Sequence, residues 1–327
     1  MTYGLIGAYA SLPADQAEQE EYYRLLAQIP GVRGLEIPYV HGLGDLPWLA
    51  AQLAPHWDRN IVTGVGGTMV RVWDTGTFGL ASTSAEGRTA ALAFTRELRD
   101  AVEALREACG RDVVAGVEIH SAPSGEHGVA HCPEAFGESL AEIVDYDWGG
   151  APLLVEHCDA FVAPDRGEKR LMSLDDELAV LAELGRPEIR MTLNWGRSAL
   201  EARDAAVAAQ HVRQVRAAGL LEGVMFSGAG PADTQYAKAW MDGHLPLDVD
   251  EPGSAMGAAQ VRECTVAALA TEAAVLSAAG SPAALAQAAP AAYIGAKCQV
   301  PDVDLATRLR FVRNILDATE VAQFAAL

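Results

Sequence analysis

The residues of this chain that could do chemistry stand at the ends of short apolar runs. "LLVEHCDA" (153–160) places Glu156, His157, Cys158 and Asp159 directly behind aliphatic residues, and "VEIHSAP" (117–123) does the same with Glu118 and His120. Glu36 sits in "GLEIPY" (34–39), Asn194, Trp195 and Arg197 in "NWGRSA" (194–199), and Ser227, Lys297 and Gln299 follow two further runs. Two carboxylates facing one substrate carbon can move a proton on and off either side of it, with imidazoles as shuttles and an ammonium to hold a developing oxyanion. Burying several ionisable groups costs several kcal/mol unless each is paired, so so many together indicate a site rather than chance.

Eight runs carry these residues: 3–10, 34–40, 60–69, 112–123, 152–160, 188–199, 221–230 and 291–301. They are near-continuously apolar rather than alternating, as strands buried on both faces are. Helix-like segments separate them. One opens on Asp15 and stops at Pro30-Gly31, one ends on Gly110, and one opens on Ser173. Between the last two strands lie a long excursion (231–260) and Ala-rich helical stretches, 258–279 and 282–290. Eight β-α units without a Pro/Gly/Ser-rich linker predict α/β architecture: a single (β/α)8 TIM barrel over residues 1–327, with a long loop and extra helices between strands seven and eight. A doubly wound sheet is the competing topology. In a barrel the active residues lie at the C-terminal ends of the strands, where this chain's polar residues fall. Glu118 and His120, two apart, share one face of their strand; neighbours such as His157 and Cys158 face opposite ways, which argues against a thiolate–imidazole pair between them.

The chain has 327 residues and a formal net charge of −20. That field disfavours nucleic acid and anionic membrane surfaces as partners. The N-terminus lacks the basic region of a signal peptide, no apolar stretch reaches membrane-spanning length, and the five scattered cysteines form no CxxC pair. The expectation is a cytoplasmic protein with reduced thiols. "GVGGT" (64–68) has neither dinucleotide nor Walker spacing and is not read as a nucleotide loop.

The order of elements over about residues 3–320, with the motifs "GLEIPY", "VEIHSAP", "LLVEHCDA" and "NWGRSA", resembles the xylose isomerase-like TIM-barrel superfamily, in an uncharacterised bacterial branch. The resemblance implies sugar isomerase or epimerase chemistry and a divalent metal held by Glu, Asp, His and Glu from strands five to eight. Laid on this chain, Glu156 matches the first ligand, while Asn194, Ser227 and Lys297 stand where the other three are implied. Neutral donors suit a hard cation poorly and an ammonium not at all, so no metal is expected, with Lys297 taking the cation's place beside Glu156. The alternative is a relocated Mn, Zn, Fe or Co site built from Glu118, His120, Glu156 and His157, with His244 as a further candidate.

The expected enzyme is therefore a sugar or polyol isomerase or epimerase. Glu156, Glu118, Lys297, His120 and His157 are the catalytic candidates; Glu36, Asp159, Asn194, Trp195, Arg197, Ser227, Trp240 and His244 are the candidates for substrate binding. Residues 236–254 suggest an aromatic lid or an oligomer arm, and Trp195 a second sugar platform or a core residue. Arg197 is either an anion contact or a helical partner of Glu201. The partner is a small carbohydrate-like molecule, with a homo-oligomer possible by resemblance. Two readings remain open beside this one: a lyase, dehydratase or aldolase using a Lys297 Schiff base, and a non-catalytic sugar-binding protein.

Overall fold

A computed structural model describes residues 2–127, 130–163, 166–269 and 289–320. The apolar runs form eight short strands: β1 (Tyr3–Ile6), β2 (Val32–Pro38), β3 (Asn60–Thr63), β4 (Val114–Ile119), β5 (Leu153–His157), β6 (Ile189–Asn194), β7 (Leu221–Phe226) and β8 (Tyr293–Ala296). They follow one another in chain order round a closed barrel, and their pairings are parallel. Nearly every strand residue is buried, which is why the runs read as continuously apolar. Each strand stops several residues short of its apolar run, so the polar residues fall at the strand ends or in the connection just after them.

The chain packs as two compact units, residues 34–190 and residues 1–33 with 191–327. In the first, β2 to β5 are covered by α2 (Leu46–Gln52), α3 (Val65–Thr75), α4 (Ala85–Cys109), α5 (Pro133–Ile143) and α6 (Leu174–Leu184). Val62, Val117, Leu154, Phe136 and Leu140 are fully buried there. In the second, α1 (Gln16–Leu26), α7 (Trp195–Ala202), α8 (Ala206–Ala217), α9 (Ala258–Leu269) and α10 (Leu305–Thr319) pack round Leu5, Ile6, Phe226, Tyr293 and Ile294.

Asp15, Ser84, Ser173 and Asp304 each accept a hydrogen bond from the third amide of the helix that follows, and Gly110 and Gly185 end α4 and α6 in the left-handed conformation. Two helices, α2 and α3, do not follow from the sequence reading; α3 starts at Val65 inside the "GVGGT" stretch, with Gly64 as its N-cap. Helices α7 and α8 are separated because Arg203 turns to φ 56° and ends α7. The Ala-rich residues 270–288 lie outside the described residues, so of those stretches only α9 is seen. Among the described residues no helix is long and apolar enough to cross a membrane.

Candidate active site

At the C-terminal ends of β4 and β5, strand alternation sorts the polar residues into two sets. The register pairs Glu118 with Leu154 and Ile119 with Val155, so one step further His120 stands beside Glu156. The His120 Nε2 and Glu156 Oε2 atoms lie 2.7 Å apart, with side chains 0% and 2% exposed. An ionised carboxylate only accepts, so in the neutral imidazole this bond places the proton on Nε2 and leaves Nδ1 with its lone pair. His120 Nδ1 has no hydrogen-bond partner among the described residues. Glu36 from β2 and Glu118 from β4 join this set: one carboxylate oxygen each of Glu36, Glu118 and Glu156 lies within 4.8 Å of the others. Cys158, two residues on from Glu156, shares its face, and its Sγ lies within the same distance of ligand atoms of His120 and Glu156. Behind them a cavity of about 10 Å³, lined by Thr68, Phe78, Phe94, Glu118 and His120, has room for no more than one water.

The second set faces the other way. His157, expected among the catalytic groups, turns from Glu156 and meets Glu177 of α6, Nδ1 to Oε2, at 2.7 Å. Ser121 donates to the other oxygen of Glu177 at 2.5 Å. Asp159, expected to bind substrate, is taken up by its own loop: Oδ2 accepts from the amides of Glu168, Lys169 and Arg170 at 2.5, 2.7 and 3.1 Å. Gly167 must be glycine for this, since it sits at φ 75° and a Cβ there would lie 2.8 Å from Oδ2.

The remaining candidates belong to the second unit. Lys297, directly after β8 and fully buried, donates to the Tyr9 hydroxyl at 3.1 Å, and its ammonium lies 5.5 Å from the centre of that ring. Asn194 caps α7, its side-chain oxygen accepting from the Gly196 amide at 3.1 Å. Arg197 lies in the first turn of α7 rather than on β6, and it pairs with Asp242 at 3.1 Å. Trp195 is 1% exposed and packs in the core, which leaves it no face for a sugar ring.

The excursion after β7 carries Trp240 and His244, both half-buried at positive φ. It is fastened along its length. Leu245 bridges to Gly228, His244 Nδ1 contacts Ser227 Oγ at 2.8 Å and Asp242 at 3.0 Å, and Asp250 receives the Asn314 amide at 2.7 Å. These contacts pin residues 242–250, and the buried Arg197–Asp242 ion pair is among them.

The metal set implied by the superfamily does not fit these residues. The Asn194 oxygen is spent on a helix cap, Ser227 is bonded to His244, and Lys297 brings a positive charge of its own. The donors that do converge lie on β2, β4 and β5 or one residue past the ends of β4 and β5, with Glu36 and Cys158 in place of the anticipated His157.

A family model described as a domain of unknown function, DUF4862, matches residues 5–311. The chain belongs to this family. An uncharacterised protein of Salmonella typhimurium (strain LT2) is 36% identical over 272 residues, which cover 81% of this chain and 84% of that protein. Among solved structures, the chain is similar to an L-ribulose 3-epimerase (14% identity, TM-score 0.55, covering 100% and 97% of the two chains). It is also similar to the IolI protein with a bound zinc atom (10%, 0.58, 98% and 98%) and to the E. coli 3-keto-D-glucoside 4-epimerase YcjR (13%, 0.54, 98% and 99%). The fold of this DUF4862 protein is thus a (β/α)8 TIM barrel, like that of these structures.

Proposed function

We propose that this protein is an isomerase or epimerase of a sugar or sugar-like polyol, working by proton transfer at the carbon next to a carbonyl. The buried His120–Glu156 pair carries this reading. Glu156 holds the imidazole in one tautomer and stabilises the imidazolium that forms when Nδ1 takes the substrate proton. Glu118, whose carboxylate reaches within 4.8 Å of Glu156 and Glu36, is the second acid/base group, and Glu36 the group that receives a substrate hydroxyl. A non-catalytic sugar binder needs hydrogen-bonding groups; four ionisable side chains buried together at strand ends suit proton chemistry better. Similarity to epimerases in fold agrees with this reading but does not select it, because one barrel serves many reactions.

The test is a panel of ketoses, aldoses and keto-sugars offered to wild type and Glu156→Gln. Epimerised or isomerised product from wild type alone supports the reading. Equal turnover by Glu156→Gln removes the pair from the mechanism.

A second reading has one observation in its favour: His120, Glu156 and Cys158, and likewise Glu36, Glu118 and Glu156, bring ligand atoms within 4.8 Å of one another. Nitrogen, oxygen and sulfur donors together suit zinc, iron or cobalt, whereas the three carboxylates suit harder ions. Elemental analysis of protein purified without chelator or nickel resin decides between the two. Near-stoichiometric metal, lost from the Cys158→Ser or Glu36→Gln variant, favours a metal-dependent isomerase.

A further inference from the structure

Glu177 is fully buried, yet it comes from the first turn of α6, where acidic residues ordinarily face solvent. Both of its oxygens are engaged, by Ser121 Oγ at 2.5 Å and by His157 Nδ1 at 2.7 Å. These partners are the immediate neighbours of the proposed catalytic pair: Ser121 follows His120 and His157 follows Glu156. Continued past its last pairing, Ile119 with Val155, the β4–β5 register sets His120 beside Glu156 and Ser121 beside His157. One pair meets directly on one face, and the other is joined through a carboxylate on the opposite face.

The pairing of β4 with β5 ends at Ile119 and Val155, one step before His120 and Glu156. Backbone pairing therefore does not set the separation of these two side chains. We propose that Glu177 does so, as a positioning residue that clips the ends of β4 and β5 together from outside and thereby fixes the His120–Glu156 bond. This rests on the reading of that pair as the proton-transfer group. The clip also explains why His157, adjacent to Glu156, takes no part in the cluster: its Nδ1–H is committed to Glu177, as a buried imidazole held by a carboxylate requires.

The experiment needs no substrate. In protein labelled with ¹⁵N-histidine, the His120 Nε2–H bonded to Glu156 gives a downfield, exchange-protected proton resonance. Three variants are compared with wild type: Glu177→Ala, Glu177→Gln and Leu181→Ala, the last removing a buried side chain from the same helix without touching the clip. The expected result is loss of the His120 resonance in Glu177→Ala and its retention in Leu181→Ala. Glu177→Gln shifts or broadens it without removing it, because the neutral carboxamide holds Ser121 and His157 less firmly than the carboxylate does. If Glu177→Ala does not fold, a shifted or broadened His120 resonance in Glu177→Gln supports the clip, and an unchanged one overturns it. A folded Glu177→Ala with an unchanged His120 resonance overturns it, as does equal loss in Leu181→Ala. Absence of the resonance in wild type would overturn the pair itself, and the clip with it.

Discussion

His120 Nε2 and Glu156 Oε2 lie 2.7 Å apart, one step beyond the last backbone pairing of the strands that carry them. Their side chains are 0% and 2% exposed, so the bond forms in a medium where charge–dipole terms are far stronger than in water. Removing the carboxylate should be costly to catalysis and mild to the fold. Glu156→Gln keeps the size of the side chain and is expected to lower turnover about 10²–10⁴-fold, the usual contribution of a positioned acid/base group. Circular dichroism and steady-state rates on the same preparation check both halves.

Lys297 is held by close packing. A Cβ added at Gly7 would lie 2.7 Å from the Cβ, Cγ and Cδ atoms of Lys297, atoms near the root of the side chain that cannot swing aside cheaply. Gly7→Ala is expected to destabilise the protein by about 1–3 kcal/mol through overpacking. Urea denaturation measures it.

A Schiff base at Lys297 is not expected. Its side chain is fully buried and packed against Gly7, with the nitrogen on Tyr9, so a carbonyl carbon does not reach it unless those neighbours move. Borohydride treatment in the presence of carbonyl sugars should add no mass at Lys297; a trapped adduct would move the reaction class to aldolase or dehydratase chemistry.

The excursion after β7 depends on a buried ion pair. Arg197 and Asp242 meet at 3.1 Å with side chains 2% and 6% exposed. Arg197→Ala takes the guanidinium from the buried Asp242 and is expected to cost about 3 kcal/mol, the low end for breaking a buried pair, because His244 still contacts that carboxylate. Limited proteolysis should then cut between residues 231 and 257 in the variant and not in wild type.

Burial holds the His131 imidazole below its ordinary value of 6.5, against the upward pull of Asp176 and Glu177. Its native form is therefore neutral, while the unfolded chain takes up a proton near pH 6.5. The stability that this histidine contributes is present above that pH and is lost as pH falls below it. In denaturant titrations between pH 7 and 5, His131→Asn should lose less stability than wild type.

The barrel was legible because strands buried on both faces leave apolar runs whose ends collect polar residues. Helix α3 was not, since "GVGGT" combines poor helix formers. Packing decides there: a Cβ at Gly67 would meet the Phe94 ring at 2.7 Å and the Val40 carbonyl at 2.8 Å. Of the site, Glu36, Glu118, His120 and Glu156 could be read from strand ends, but His157 and Asp159 were drawn in by adjacency, although alternation turns both away from Glu156. Glu177 was missed altogether. Its partners lie 20 and 56 residues away, yet one signal was present: it falls on the apolar stripe of α6 with Leu174 and Leu181, where a carboxylate needs a buried partner.

Proton transfer beside a carbonyl leaves a mark that binding or metal-driven hydride shift does not. Wild-type protein incubated in D₂O with each sugar of the panel should place solvent deuterium at the reacting carbon, and Glu156→Gln should not. Product formed without deuterium at that carbon, or undiminished exchange in Glu156→Gln, would contradict the assignment of His120 and Glu156 as the proton-transfer pair.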